Sequence, residues 1–397
     1  KYSVIKPILS KILSLFNPND RFLVLEIFQN YLRGTLVKFD LFAKELKVLK
    51  VLFAEENNEA LLKKFINQFG RLSKSRIVLG LDSHQATTLY GSTVVIRDNF
   101  KTPIDEADLD NLISQAIWKF FDRQRSRVAA KMNVNELDLV LSDVKIRGIK
   151  LDGYKVINPV GFKAKSVEVQ FSQTFLSRDS LAKIKNFFPE DRVVFISESG
   201  TTFSHVVGQS TTEPSFLLAN IFFDRTAIFV ADAAQRFYLD DFGWGLRNLI
   251  ISLSGDLAVD GGAARAIIGR YLTDDMSPNF KKRLGQFFLK ELHILANGLS
   301  LASRKNESKK IYLNPFFEIP GIFSPTFKSK FEHAVDLEPI HNDLISKNFG
   351  FQIKFKSGLE AKNIFGALAL LMEWHLSSNE DKMSQIAKRR VRWLSIH

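Results

Sequence analysis

Hydrophobic positions along this chain follow two rhythms. Short, nearly unbroken apolar runs at Phe22–Ile27, Gly34–Asp40, Arg76–Leu81, Arg192–Ser197 and within Leu217–Asp232 predict buried strands. Further strands are expected at Lys47–Phe53, Glu136–Asp143, Tyr154–Val156, Ser166–Thr174, Gln235–Leu239 and Lys309–Leu313. Apolar residues at helical spacing predict helices at residues 4–16, Asn58–Gly70, Pro103–Phe121, Ser180–Phe187, Ser204–Gln209, Leu246–Ser254, Gly262–Tyr271, Asn279–Leu301, Phe327–Phe331 and Ala361–Leu376. The helix at Pro103 carries the strongest start signal: Thr102 as cap, proline in the first turn and Asp105, Glu106 and Asp108 against the dipole. The order fits an α/β chain of two βββαβα-like halves with an insertion in the first.

Composition narrows the chemistry. Cysteine is absent, and the seven histidines show no ligand spacing, so disulfides, thiolate chemistry and a zinc or iron site are not expected. A net charge of +12 favours an anionic partner. No motif of a nucleic-acid reader accompanies that charge, so no nucleic acid is expected. No apolar run approaches the ~18 residues of a spanning helix, and no signal-peptide cleavage site follows the opening segment.

The strand–turn–strand Leu217–Asp232, LLANIFFDRTAIFVAD, resembles in outline the second phosphate-binding hairpin of the superfamily of actin, heat-shock ATPases and sugar kinases. Asn220 stands at the pattern's leading aspartate, Phe222, Phe223 and Asp224 at its glycines, and Ala227 at its trailing aspartate. Phe222-Phe223 would equally serve as core of an unrelated hairpin, and Asp224-Arg225-Thr226 as a solvated turn. The segment Gly153–Gln170, through Asn158-Pro159-Val160-Gly161-Phe162, is similar to the sequence closing the small inserted subdomain of the bacterial division family FtsA. Thr102–Leu109 resembles a helix start of the same family, although Asn-Pro-Val-Gly alone is also an ordinary turn.

That resemblance spans nearly the whole chain and implies an actin-like, two-lobed α/β fold. Lobe one would occupy 21–81 and return at 177–212, around an inserted α+β subdomain at 82–176. Lobe two would occupy 213–376, with an amphipathic segment at 1–20 and a linker and amphipathic helix at 377–397. By the same resemblance the first phosphate hairpin is Leu25–Tyr31, where Glu26 keeps an acid, Phe28 replaces a glycine, Tyr31 replaces a lysine and Asn30 completes the turn. Gly243 survives from a third motif, Arg265 keeps a cation where the ribose-binding glutamate is lost, and Asn314 stands in the last glycine pair.

Glycines in such hairpins let backbone N–H groups approach phosphate oxygens as no Cβ allows, and acidic residues hold Mg²⁺ and its waters. Their loss implies a pseudo-ATPase with no cofactor. ATP and Mg²⁺ would require Glu26, Asp224, Arg225 and Arg265 to compensate.

The family also implies a scaffold of cell division on the inner face of the membrane, partnered by a tubulin-like division protein, other division proteins and its own copies. In a C-terminal helix, Met383, Ile386, Trp393 and Leu394 would enter an anionic bilayer, with Lys388, Arg389 and Arg392 at its headgroups. Packing of that helix on the body is the competing arrangement. The alternative role within the fold is a PilM-like scaffold of type IV pilus assembly, which binds a short peptide of an inner-membrane partner.

Overall fold

The computed structural model describes residues 21–28, 31–54, 59–70, 75–189, 191–209, 211–231, 236–331, 335–359 and 363–377, together with 383, 386, 387, 389 and 391. The expected helix at 4–16 lies outside these residues, as do Asn30, Lys388, Arg392, Trp393 and Leu394. The chain forms two compact units, Lys1–Val206 with Asn342–His397, and Val207–His341.

The first unit begins with β1 (Arg21–Ile27), β2 (Leu32–Asp40) and β3 (Glu45–Ala54), followed by α1 (Glu59–Asn67) and β4 (Arg76–Leu81). The insertion then contributes β5 (Ala86–Ile96), α2 (Glu106–Met132), β6 (Leu139–Leu151), β7 (Tyr154–Val156) and β8 (Ser166–Ser177). Next come α3 (Arg178–Phe187), β9 (Val193–Glu198) and α4 (Ser199–Gly208).

The second unit holds β10 (Phe216–Ile221), β11 (Thr226–Ala231), β12 (Arg236–Phe242), α5 (Leu246–Leu257), α6 (Gly261–Leu272), α7 (Pro278–Lys305), β13 (Lys310–Pro315), α8 (Pro325–Lys328) and β14 (Asp336–Pro339). The chain then returns to the first unit through α9 (Asp343–Phe349), β15 (Gln352–Phe355) and α10 (Phe365–Ser377).

The two main sheets repeat one topology. The first runs β15-β3-β2-β1-β4-β9 and the second β12-β11-β10-β13-β14. In each, the unit's first three strands form an antiparallel meander, and its opening strand is flanked on the other side by two parallel strands. Only the central position explains strands as apolar as FLVLEI and FLLANI, which are buried on both faces. The insertion interrupts the first repeat between its fourth and fifth strands and builds its own sheet, β5-β8-β6-β7, covered by α2.

Several expectations shift. The second unit was expected to run to residue 376, but residues from 342 onward belong to the first: α10 packs on β1 and β4, and β15 extends their sheet beside β3. α2 starts later and runs longer than Pro103–Phe121. Its cap is Asp105, whose carboxylate accepts from Asp108 N at 2.8 Å, while the Thr102 hydroxyl donates to Asn99 O instead. β5 was not expected, because its threonines break the apolar pattern. Thr88 is satisfied sideways, sharing hydrogen bonds with Thr174 at 2.9 Å and Ser197 at 3.1 Å.

Candidate functional site

The expected nucleotide contacts fall into two groups, one per unit. In the first unit, the β1–β2 hairpin sets Glu26 opposite Arg33 in register. The two close a bidentate ion pair at 2.5 and 2.6 Å, and Arg33 Nη1 also donates to Asn363 O at 3.2 Å. A carboxylate so used has its charge matched and both oxygens occupied by protein. Gly366 on α10 leaves the space this pair fills, since a Cβ there would run into Glu26 Oε1. Phe28 is buried against Tyr31, ring centroids 4.8 Å apart, and Tyr31 stacks on Phe53 at 5.7 Å. The turn is tightened by Phe28 N donating to Tyr31 O at 3.0 Å.

In the second unit, Asn220 on β10 lies beside Asn314 on β13. The Asn314 amide donates to Asn220 Oδ1 at 2.7 Å, and both are buried. Asn220 is thus half of an amide pair that stitches parallel strands. Phe222 packs on Phe316 at 4.8 Å and Phe223 on Phe317 at 6.0 Å.

The cations of this region are engaged as well. Arg225 lies over the Phe222 ring at 5.3 Å and binds Asp241 at 2.5 Å, while Arg265 lies over Phe223 at 5.4 Å. Tyr238 donates to the same Asp241 oxygen at 2.9 Å, and burial, then that hydrogen bond, push its phenol above the ordinary value. Asp224 is half-buried at the turn, and the Thr226 hydroxyl donates to Trp244 O at 2.8 Å.

The N-terminus of α5 sits directly on this hairpin. Leu246 N donates to Phe222 O at 3.2 Å and Arg247 N to Phe223 O at 2.6 Å. Gly245 N is taken by the Asn248 side chain at 3.0 Å. Backbone donors that could otherwise face an anion are therefore bonded within the unit. The closeness depends on Gly245, where a Cβ would stand 2.5 Å from Phe222 O and 2.6 Å from Phe223 O. Gly243, retained from the resemblance, has open space around it and no such constraint.

Sequence reasoning placed Glu26, Asn220 and the phenylalanines but missed Arg33, Asp241, Phe316 and Phe317 as their partners. Arg33 had a usable signal, since a hairpin closed between Phe28 and Tyr31 sets 26 against 33. Among the described residues, no group of three or more His, Asp or Glu side chains could hold a metal ion.

The C-terminal segment differs most from expectation. Ile386, Ala387 and Val391 are buried in the core of the insertion, with Met383 packed against it. Ile386 is 1% exposed. Of the side chains assigned to a bilayer, the described Met383 and Ile386 have an apolar partner in the chain itself, and Arg389 is exposed. Met383 and Ile386, expected in a bilayer, pack instead on the insertion's core.

Also in the first unit, a groove of about 270 Å³ runs between the start of β6, α3 and β9. Leu141, Ile184, Phe188 and Phe195 give it apolar walls, with Asp143, Lys185 and Asp191 among its polar lining. β9 is the edge of its sheet. Ile196 N donates to Asp143 at 3.3 Å, and Lys145 reaches Val194 O at 3.5 Å, so this edge meets side chains of β6.

Among solved structures, a PilM–PilN type IV pilus biogenesis complex is similar over 89% of this chain and 98% of the other, at 14% identity and a TM-score of 0.56. The fold is that of the actin-like ATPases. Matches at lower TM-score include a Bacteroides thetaiotaomicron protein with an actin-like ATPase fold (10% identity, 89% and 96% coverage, 0.38) and the ethanolamine utilization protein EutJ of Carboxydothermus hydrogenoformans (8%, 83% and 88%, 0.41). No protein-family model and no curated protein matches the chain.

Proposed function

We propose that this actin-like chain is a scaffold of the pilus-assembly kind: a protein that holds a peptide of a membrane partner and does not turn over ATP. The observation that carries the choice is the burial of Ile386, Ala387 and Val391 in the insertion. A basic, membrane-seeking C-terminal helix was one of the two features favouring a division adaptor with a tubulin-like partner. The other, Asn158–Phe162, is a surface turn, which either role accommodates. The likeness to PilM along nearly its full length supports the same direction.

The absence of turnover is supported by the engagement of Glu26, Arg225, Arg265 and the α5 amides by protein groups. The β6–α3–β9 groove is the peptide site in this proposal. Its apolar walls suit one or two anchor side chains, and its charged lining suits the polar backbone of an extended segment.

The test uses synthetic peptides from the cytoplasmic ends of single-pass membrane proteins encoded beside this gene, measured by fluorescence anisotropy. One peptide should bind, and groove-filling Val194→Trp should abolish that binding. Failure of all of them, or binding that ignores Val194→Trp, would overturn the groove assignment. Binding of a tubulin-like division protein instead would restore the division role.

A further inference from the structure

We infer that the tip of the insertion is a contact surface for an anionic lipid bilayer. This inference is independent of the scaffold proposal. At one end of the insertion's sheet, the end of β5, the β6–β7 turn and the loop from β7 to β8 converge. Ile157 is 94% exposed, Tyr154 80% and Phe162 54%, with Phe100 and Ile96 also open to solvent. Four exposed lysines, Lys101, Lys155, Lys163 and Lys165, stand in the same segments.

Three aspartates share the tip: Asp98, Asp105 and Asp152. All three are exposed; Asp152 accepts from Ser166 N at 2.7 Å and Lys165 N at 3.1 Å, and Asp105 accepts from Asp108 N at 2.8 Å, so two of the three carboxylates are held by backbone donors.

The tip is built rather than loose. Ile104 N donates to Phe162 O and Gly161 N to Ile104 O, both at 2.8 Å, lacing the loop after β5 to the loop before β8. Arg97, paired with Asp108 at 2.5 Å, donates to Ala164 O at 3.0 Å from the other side. Asn158 accepts from Val160 N at 3.1 Å, and Gly161 takes φ +90° to close the turn. Asp152 and Gly153, at φ 47° and +90°, make the tight β6–β7 hairpin that carries Tyr154 outward.

A hydrogen-bonded frame thus holds two isoleucines and three aromatic rings in water, at the cost of unfavourable hydration. Aromatic and aliphatic side chains on projecting loops, ringed by lysines, match the two layers of a charged interface: rings and aliphatics below the headgroups, ammonium groups among the phosphates.

The experiment is co-sedimentation of the full chain with vesicles of phosphatidylcholine alone and of phosphatidylcholine doped with phosphatidylglycerol. Binding is expected to the doped vesicles and to weaken with salt. Ile157→Asp with Phe162→Asp should lower it about tenfold or more, and Lys155→Glu with Lys163→Glu likewise. All four side chains are exposed, so circular dichroism and melting should be unchanged; a second pair, Ile157→Ser with Phe162→Ser, guards against misfolding. No binding to either vesicle, or binding untouched by both pairs of substitutions, would overturn the inference.

Discussion

Glu26 and Arg33 face each other across β1 and β2 and close a bidentate ion pair at 2.5 and 2.6 Å, with the carboxylate wholly out of solvent. The acid that resembles a magnesium-associated residue is a structural half of a buried pair. Breaking one side leaves the other charge buried and uncompensated. Glu26→Gln or Arg33→Met alone should cost about 3–5 kcal/mol in urea unfolding, whereas Glu26→Leu with Arg33→Met should recover most of it. Single losses under about 1 kcal/mol would mean that the pair behaves as a solvated one.

Nucleotide should have little effect on stability. A ligand at roughly 100 times its dissociation constant adds about 2.7 kcal/mol to the folded state, a readily measured shift in melting temperature. With the α5 amides of Leu246 and Arg247 bonded to Phe222 and Phe223 carbonyls, ATP with Mg²⁺ is expected to give no saturable shift. A clear one would show that the hairpin rearranges to admit phosphate.

Ile386 separates core packing from anchoring. If its role is in the insertion's core, Ile386→Ala should destabilise by about 2–5 kcal/mol while vesicle binding at low denaturant is unchanged. Unaltered stability with lost sedimentation would return this residue to the membrane.

Asp152 gives a pH signature. Backbone donors from Ser166, then Lys165, hold its carboxyl below the ordinary carboxylate value. The folded form therefore favours the charged state. Its contribution is present above the ordinary value and is lost as pH falls through the lowered one. Asp152→Asn, which tolerates the same left-handed backbone, should speed hydrogen exchange at Lys165 and Ser166 near neutrality. Wild type and variant should converge in acid. A constant difference across that range would place the effect elsewhere.

Much of the architecture was visible in the residues. Runs such as FLVLEI and FLLANI must be central strands, because no edge or one-sided strand tolerates apolar groups on both faces. The missed strands were β5, whose Thr88 bonds across to Thr174 and Ser197, β14 and β15, a four-residue edge at Gln352–Phe355. Such short or polar strands form only when a neighbouring strand supplies partners distant in sequence. Of the candidate site, the residues at the hairpin positions were readable, but the groups that engage them were not.

By itself the sequence determined where the chain must be extended or helical, that two similar halves surround an insertion, and which hairpin positions lack glycine. Tertiary structure alone decided that Arg33 neutralises Glu26, that α10 returns to β1 and β4, and that Ile386 and Val391 fill the insertion's core. The physical reason is that an apolar stripe specifies its need to leave water without naming what will cover it, since the hydrophobic effect carries no direction. A bilayer and a neighbouring core satisfy that stripe equally, and only the assembled chain shows which of them stands there.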